Sequence, residues 1–210
     1  MENLDEIAGI LRIELDARDS AREMALPLCR EAIRFCSQTI RAIHRQQFEN
    51  AVEQLGQARD LIEKAVQAVS TYQDIAGGMV RDAQKEYAEG SVTLAIVNGE
   101  RLPEPSELKV DAVAYLNGMG EAVGEIRRYL LDAMRRGDLS RGEELLGAMD
   151  DIYSILVTFD YPDSVTGGLR RTTDLVRGIL ERTRSDLTLS MQQKALEIRL
   201  ENSRDNPGTA

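Results

Sequence analysis

The sequence predicts an all-α fold, and three observations carry that prediction. Apolar residues recur every three or four positions over long stretches, and no segment alternates as a strand would. Aromatics make up only 4% of the chain and Trp is absent, so the core must come from Leu, Ile, Val, Ala and Met, which suits packed helices. Of five prolines, only Pro27 precedes residue 103. With 210 residues, 42% of them hydrophobic and 30% charged, the chain has the composition of a globular protein. We expect one domain over residues 1–202, an antiparallel bundle of six to seven helices, followed by a disordered tail over 203–210.

The elements follow in order. A first helix is predicted from Leu4 to about Gln46, bent at Pro27. Along it Leu26, Cys29, Ile33, Cys36, Ile40 and Ile43 step by three and four, the pattern of a heptad seam. A second helix covers about Phe48 to Ser70, with Val52, Leu55, Ala58, Ile62, Ala65 and Val69 at helical spacing. A third runs from about Tyr72 to Val97 and stops at Asn98-Gly99. Residues 100–109, with Pro103 and Pro105, read as a loop. A fourth helix spans about Val110 to Arg136 and stops at Gly137. A fifth is expected from an N-cap at Ser140, with Glu143 completing a capping box, to about Thr158. Tyr161-Pro162-Asp163 reads as a turn, and a last helix as Ser164 to Asn202. The last helix carries Leu175, Ile179, Leu180, Leu187, Met191, Leu196 and Ile198, more apolar surface than one small bundle needs.

No stretch approaches the roughly 20 apolar residues that span a bilayer, and the first residues are acidic where a signal peptide would be basic. Cys29 and Cys36 lie seven apart, about 10 Å along a helix, too far for a disulfide. They read as buried thiols of a cytoplasmic protein. Net charge is −10, which on its own argues against nucleic acid. Placement qualifies that. Of 26 basic residues 22 are Arg, the bidentate phosphate binder. Arg30, Arg34, Arg41 and Arg45 fall within an arc of about 60° on the first helix, with His44 beside them. Between Met24 and Phe48 the only acid is Glu31. Such a line is either a solvated face or a track for a nucleic-acid backbone. With a single histidine, multi-histidine metal sites are excluded.

Two acidic pairs are more specific. Glu86 and Glu89 lie at i, i+3, and Glu121 and Glu125 at i, i+4, so each pair shares a helix face. Between Ala112 and Ile126 the two glutamates are the only charges, among three helix glycines that each cost about 1 kcal/mol and so call for a close approach. Between Ala83 and Val97 the charges are Lys85, Glu86 and Glu89, and Asp82 lies one turn before. Carboxylates in such company are costly unless protonated, paired or bound to a cation. Lys85, Arg81 and Arg127 are the nearby cations, so two Glu–Arg networks are one reading. The other is a hard-ion site, because four oxygen donors without histidine or thiolate suit Mg²⁺ or Mn²⁺.

Together these segments resemble the translin superfamily over about Arg30 to Arg199. The resemblance is carried by Arg30-Glu-Ala-Ile33, Arg41-Ala-Ile-His44-Arg45, Gln84-Lys-Glu-Tyr-Ala-Glu89, Tyr115-Leu-Asn-Gly-Met-Gly-Glu-Ala-Val-Gly-Glu125, Phe159-Asp-Tyr-Pro-Asp163, Gly168-Leu-Arg-Arg-Thr-Thr-Asp174 and Ile179-Leu-Glu-Arg-Thr-Arg-Ser-Asp186. It implies a seven-helix bundle assembling into closed homo-octamers that bind single-stranded RNA and DNA. Members like translin-associated factor X are Mg²⁺-dependent endoribonucleases whose active site faces the interior cavity. The resemblance maps the catalytic and metal-binding carboxylates onto Glu86, Glu89, Glu121 and Glu125. Glu121 stands where catalytic members usually carry Asp, one methylene shorter. It maps the basic surface onto Arg30, Arg41, His44 and Arg45, with Arg34 on the same stripe, and it allows an acidic exterior to coexist with an arginine-lined interior. Arg170 and Arg171 are further candidates for RNA contact or for an interface ion pair. The rival readings are a non-catalytic translin-like binder of single-stranded RNA or DNA and an all-helical nucleoside-triphosphate pyrophosphatase. The latter class also binds Mg²⁺ through acidic pairs on neighbouring helices, but its second pair is spaced by three.

Overall fold

A computed structural model describes residues 3–76 and 78–205 and is all-α. Its helices are α1 (Leu4–His44), α2 (Phe48–Ala68), α3 (Gln73–Ala76), α4 (Met79–Asn98), α5 (Pro105–Leu108), α6 (Ala112–Arg135), α7 (Gly142–Leu156), α8 (Asp163–Thr166) and α9 (Leu169–Asp205). No strand occurs among the described residues, and none of their helices is long and apolar enough to cross a membrane. The chain forms two compact units, Met1–Ala122 and Val123–Ala210.

In the first unit α1 and α2 form a hairpin on which α4 packs. Its core is small. Ala25, Cys29, Ala32 and Cys36 on α1, Ala51, Ala58 and Ala65 on α2, and Ala83 and Ala88 on α4 are all buried. Small side chains let helix axes come close, and Ile43, Ile62 and Val92 fill the remaining space, each contributing about 1.5–3 kcal/mol on burial. The seam on α1 therefore differs from the expected one. Its buried line is Ala25, Cys29, Ala32, Cys36, Thr39 and Ile43, whereas Leu26, Ile33 and Ile40 sit at its edge, half-buried. A reading weighted by hydrophobicity skips alanine, and close helix packing selects it. Pro27 is accommodated inside a continuous α1. No side chain of α1 before Ala21 is buried.

Several boundaries depart from expectation. The third predicted helix divides into α3 and α4, with Gly78 in a turn just before Met79, as the low helix propensity of glycine favours. The loop over 100–109 contains the single turn α5. It is closed by a capping box between Glu104 and Glu107, with Pro105 at its start, and pinned by the Tyr115 hydroxyl, which donates to the Pro103 carbonyl at 2.8 Å.

In the second unit Ser140 does not cap α7. Its N–H and hydroxyl both donate to Asp138 Oδ1, at 3.0 and 2.7 Å, and the helix starts at Gly142. There a Cβ would come within 2.6 Å of Leu187 Cδ1 on α9. The predicted last helix is interrupted at Gly167 and Gly168, whose φ values of 61° and 89° are the left-handed conformation that glycine adopts without strain. α7 and α8 pack on α9, which buries Leu169, Val176, Leu180, Thr183 and Leu187. Arg127 joins this packing by donating to Thr183 Oγ1 and Asp186 Oδ2, both at 2.8 Å. Beyond Leu187 no residue described on α9 is buried. The helix continues through 203–205, which were expected in a disordered tail; the remainder of that tail, 206–210, lies outside the described residues.

Candidate functional site

The crossing of α4 and α6 builds the site within the first unit. At Gly118 the two backbones nearly touch. A Cβ there would lie 2.5 Å from the Lys85 carbonyl oxygen, 2.8 Å from Ala88 Cβ and 3.0 Å from the Glu89 nitrogen. Only glycine allows that approach, so one of the glycines singled out in the sequence has the expected reason. Gly124 does not share it, because a Cβ there would meet nothing within 4 Å. Glu121 stands nearly one turn after Gly118, and Glu86 and Glu89 flank the contact on α4. One carboxylate oxygen from each of Glu86, Glu89 and Glu121 lies within 4.8 Å of the others, and all three residues are half-buried.

Three carboxylates this close repel one another, and their surroundings show how that is met. The Lys85 ammonium donates to Glu121 Oε1 at 2.8 Å. Burial pulls this ammonium down, yet the hydrogen bond and charge of Glu121, helped by Glu86 and Asp82, hold it above its ordinary 10.5. Burial pushes the Glu86 carboxyl above its ordinary 4.5. Lys85 opposes that shift, and Glu121 and Asp82 add to it. The field of the acids reaches α1. Cys36 is pushed up to about 12, by burial first and then by Glu86 and Glu89, and Cys29 is raised by burial and by Asp82. Both thiols are free and buried, as expected.

The donor set fits a hard divalent cation. It is all oxygen, anionic, drawn from two rigid helices and partly open to solvent. Three of the four acids singled out in the sequence belong to it. Glu125 is not in that set; it belongs to the second unit, one turn further along α6, and lies 3.6 Å from Arg128 on its own helix.

Arg30, Arg34, Arg41 and Arg45 are all exposed on α1, and His44 is half-buried. Arg34 is tied to Glu31 at 2.7 Å, whereas no ion pair forms at Arg30, Arg41 or Arg45 among the described residues. The helical angles place this stripe opposite the Ala–Cys face that packs on α2 and α4. In the second unit Arg170 and Arg171 are exposed, and Arg170 lines a cleft of about 710 Å³ with Asp160, Asp163 and Asp174. Sequence reasoning named Lys85 as a nearby cation without assigning its partner; helix spacing gives no contact across 36 residues.

The all-helical architecture is the one that the resemblance to the translin superfamily implies. No family model matches the chain. Among solved structures, the AfC3PO–duplex RNA complex is similar with a TM-score of 0.84 and 34% identity, over 90% of this chain and 98% of that one. AfC3PO itself gives a TM-score of 0.82 and 33% identity over the same shares. Apo-NeC3PO shares the fold at a TM-score of 0.78 and 19% identity, again over 90% and 98%. An uncharacterized protein of Methanocaldococcus jannaschii is 31% identical over 199 residues, 94% of this chain and 88% of the relative. The chain belongs to the translin superfamily.

Proposed function

We propose that the protein is a divalent-metal-dependent endoribonuclease of the translin-associated factor X type, acting on single-stranded RNA inside a closed homo-oligomer of the chain, an octamer by resemblance. The observation that carries this reading is the convergence of Glu86, Glu89 and Glu121 to within 4.8 Å at the Gly118 crossing. These carboxylates would hold Mg²⁺ or Mn²⁺, with Glu125 as the fourth acid by resemblance. A divalent ion there supplies a Lewis acid that activates water and stabilises charge on an attacked phosphate. The chain's own part is to present the acids on rigid helices and to grip the RNA backbone through Arg30, Arg34, Arg41 and Arg45, with His44 beside them. Phosphate contacts of this kind carry little base specificity.

Several observations support assembly and RNA as the ligand. The arginine stripe is exposed and lies on the face of α1 opposite the one that packs on α2 and α4, which leaves it open to a ligand. Ile10, Ile13 and Leu15 on α1 and Leu189, Leu196 and Leu200 on α9 are between 56% and 72% exposed, more apolar surface than an isolated chain favours. AfC3PO, 34% identical, is solved with duplex RNA, which makes duplex RNA a second ligand to test beside single-stranded RNA and DNA. Buried, unpaired thiols fit a reducing cytoplasm.

The test is cleavage of end-labelled single-stranded RNA, duplex RNA and single-stranded DNA with Mg²⁺, Mn²⁺ or EDTA. Metal-dependent cuts within single-stranded RNA are expected, lost in Glu89→Gln while RNA binding is retained. Binding without metal-dependent cleavage would replace this reading with that of a non-catalytic binder. That alternative has one observation of its own: Glu121 is already ion-paired to Lys85. Release of pyrophosphate from nucleoside triphosphates, with RNA left intact, would favour the pyrophosphatase.

A further inference from the structure

Lys85 stands among the acids that the proposed function assigns to a metal. Its ammonium is 2.8 Å from Glu121 Oε1, with Glu86 and Asp82 within electrostatic reach. It is the one cation on the run from Ala83 to Val97. Its side chain is 26% exposed and that of Glu121 37% exposed, so water and ions reach the pair. A half-exposed ion pair contributes little to stability. Nor are the helices in need of it, because the backbone contact at Gly118 already joins α4 and α6. The pair calls for another explanation.

A divalent cation held by Glu86, Glu89 and Glu121 would bring a double positive charge close to the Lys85 ammonium, which contacts one of those same carboxylates. Two cations so close repel strongly in a partly desolvated site. We propose that Lys85 is a tethered counter-cation of the acid centre. It neutralises Glu121 while no divalent ion is bound, yields that carboxylate when one arrives, and thereby sets the concentration at which the centre loads. This rests on the reading of the centre as a divalent-cation site. Lys85 is a positioning residue here, acting on the metal through Glu121. Removing its charge should tighten divalent binding, whereas loss of a purely structural contact would weaken binding or leave it unchanged.

Mn²⁺ titration of the full-length, metal-free protein, with unbound Mn²⁺ followed by electron paramagnetic resonance, tests this without reference to activity. Lys85→Gln should bind Mn²⁺ on the order of tenfold more tightly than wild type, and Lys85→Arg, which keeps the charge, should stay close to wild type. The double variant Glu86→Gln/Glu89→Gln should lose the site. Circular dichroism checks that all three variants remain helical. If Mn²⁺ binds through Glu86 and Glu89 but Lys85→Gln binds no more tightly than wild type, the counter-cation role is overturned and the metal site stands. If wild type binds no Mn²⁺, or the double variant binds it equally well, the metal-site reading fails and takes this inference with it.

Discussion

Ionising Glu86 comes at a cost. Its carboxyl is held above 4.5 by burial and by Glu121 and Asp82, against the pull of Lys85, so its ionisation is harder in the folded protein than in the unfolded chain. The folded state then binds the proton more tightly, and stability is lost as the pH rises from 4.5 through the raised value. In metal-free protein Glu86→Gln should therefore melt at a higher temperature than wild type at pH 7, with the difference disappearing near pH 4. A melting temperature unchanged at pH 7 would mean that the carboxyl is not strained in this way. The thiols give a second residue-scale prediction. With Cys36 at about 12, Cys29 also raised, and both only 1–2% exposed, neither forms much thiolate at pH 8. Iodoacetamide should label neither in the native protein and both in denaturant, as mass spectrometry would read directly.

At the scale of elements, the α4–α6 crossing is the joint on which the site depends. A methyl group at Gly118 meets a carbonyl oxygen, a Cβ and a backbone nitrogen, none of which can rotate away as the end of a flexible side chain can. Gly118→Ala should destabilise by about 1–3 kcal/mol despite the better helix propensity of alanine. It should also weaken Mn²⁺ binding, because Glu121 is carried on the displaced turn. Urea unfolding and the Mn²⁺ titration read the two effects separately. Gly124→Ala, with open space at its Cβ, is the control and should be neutral or slightly stabilising. The helix boundaries teach a related lesson. Gly78 and the pair Gly167-Gly168 divide what periodicity joins, and Ser140 is drawn from a cap into a turn by Asp138. Apolar spacing is blind to where a chain turns within an otherwise helical pattern.

At the scale of the whole molecule, the proposed function has to reconcile a net charge of −10 with an RNA ligand, and it does so through the arginine stripe. Binding through it should be steeply salt-dependent. A protein carrying Arg30→Ala, Arg41→Ala and Arg45→Ala should lose about two from the slope of log affinity against log salt on single-stranded RNA, if each guanidinium meets one phosphate. An unchanged slope would assign the grip elsewhere. The apolar faces of α1 and α9 predict assembly, and light scattering should give a mass several times that of one chain. A clean monomer would overturn the proposal of an enclosed RNA cavity.

Sequence alone determined the all-helical class, the burial of both cysteines, the line of arginines and the two acidic pairs, because each is a short-range regularity that helix geometry turns into a shared face. It also marked a glycine-rich helix as one that something approaches closely. Only the tertiary structure decided which glycine that was, that Glu86 and Glu89 on α4 meet Glu121 on α6, and that Lys85 reaches across 36 residues to neutralise Glu121. The reason is physical. Spacing fixes which side chains share a face of one helix, whereas the meeting of two faces depends on how close their backbones pass, and here the missing side chain of Gly118 sets that distance.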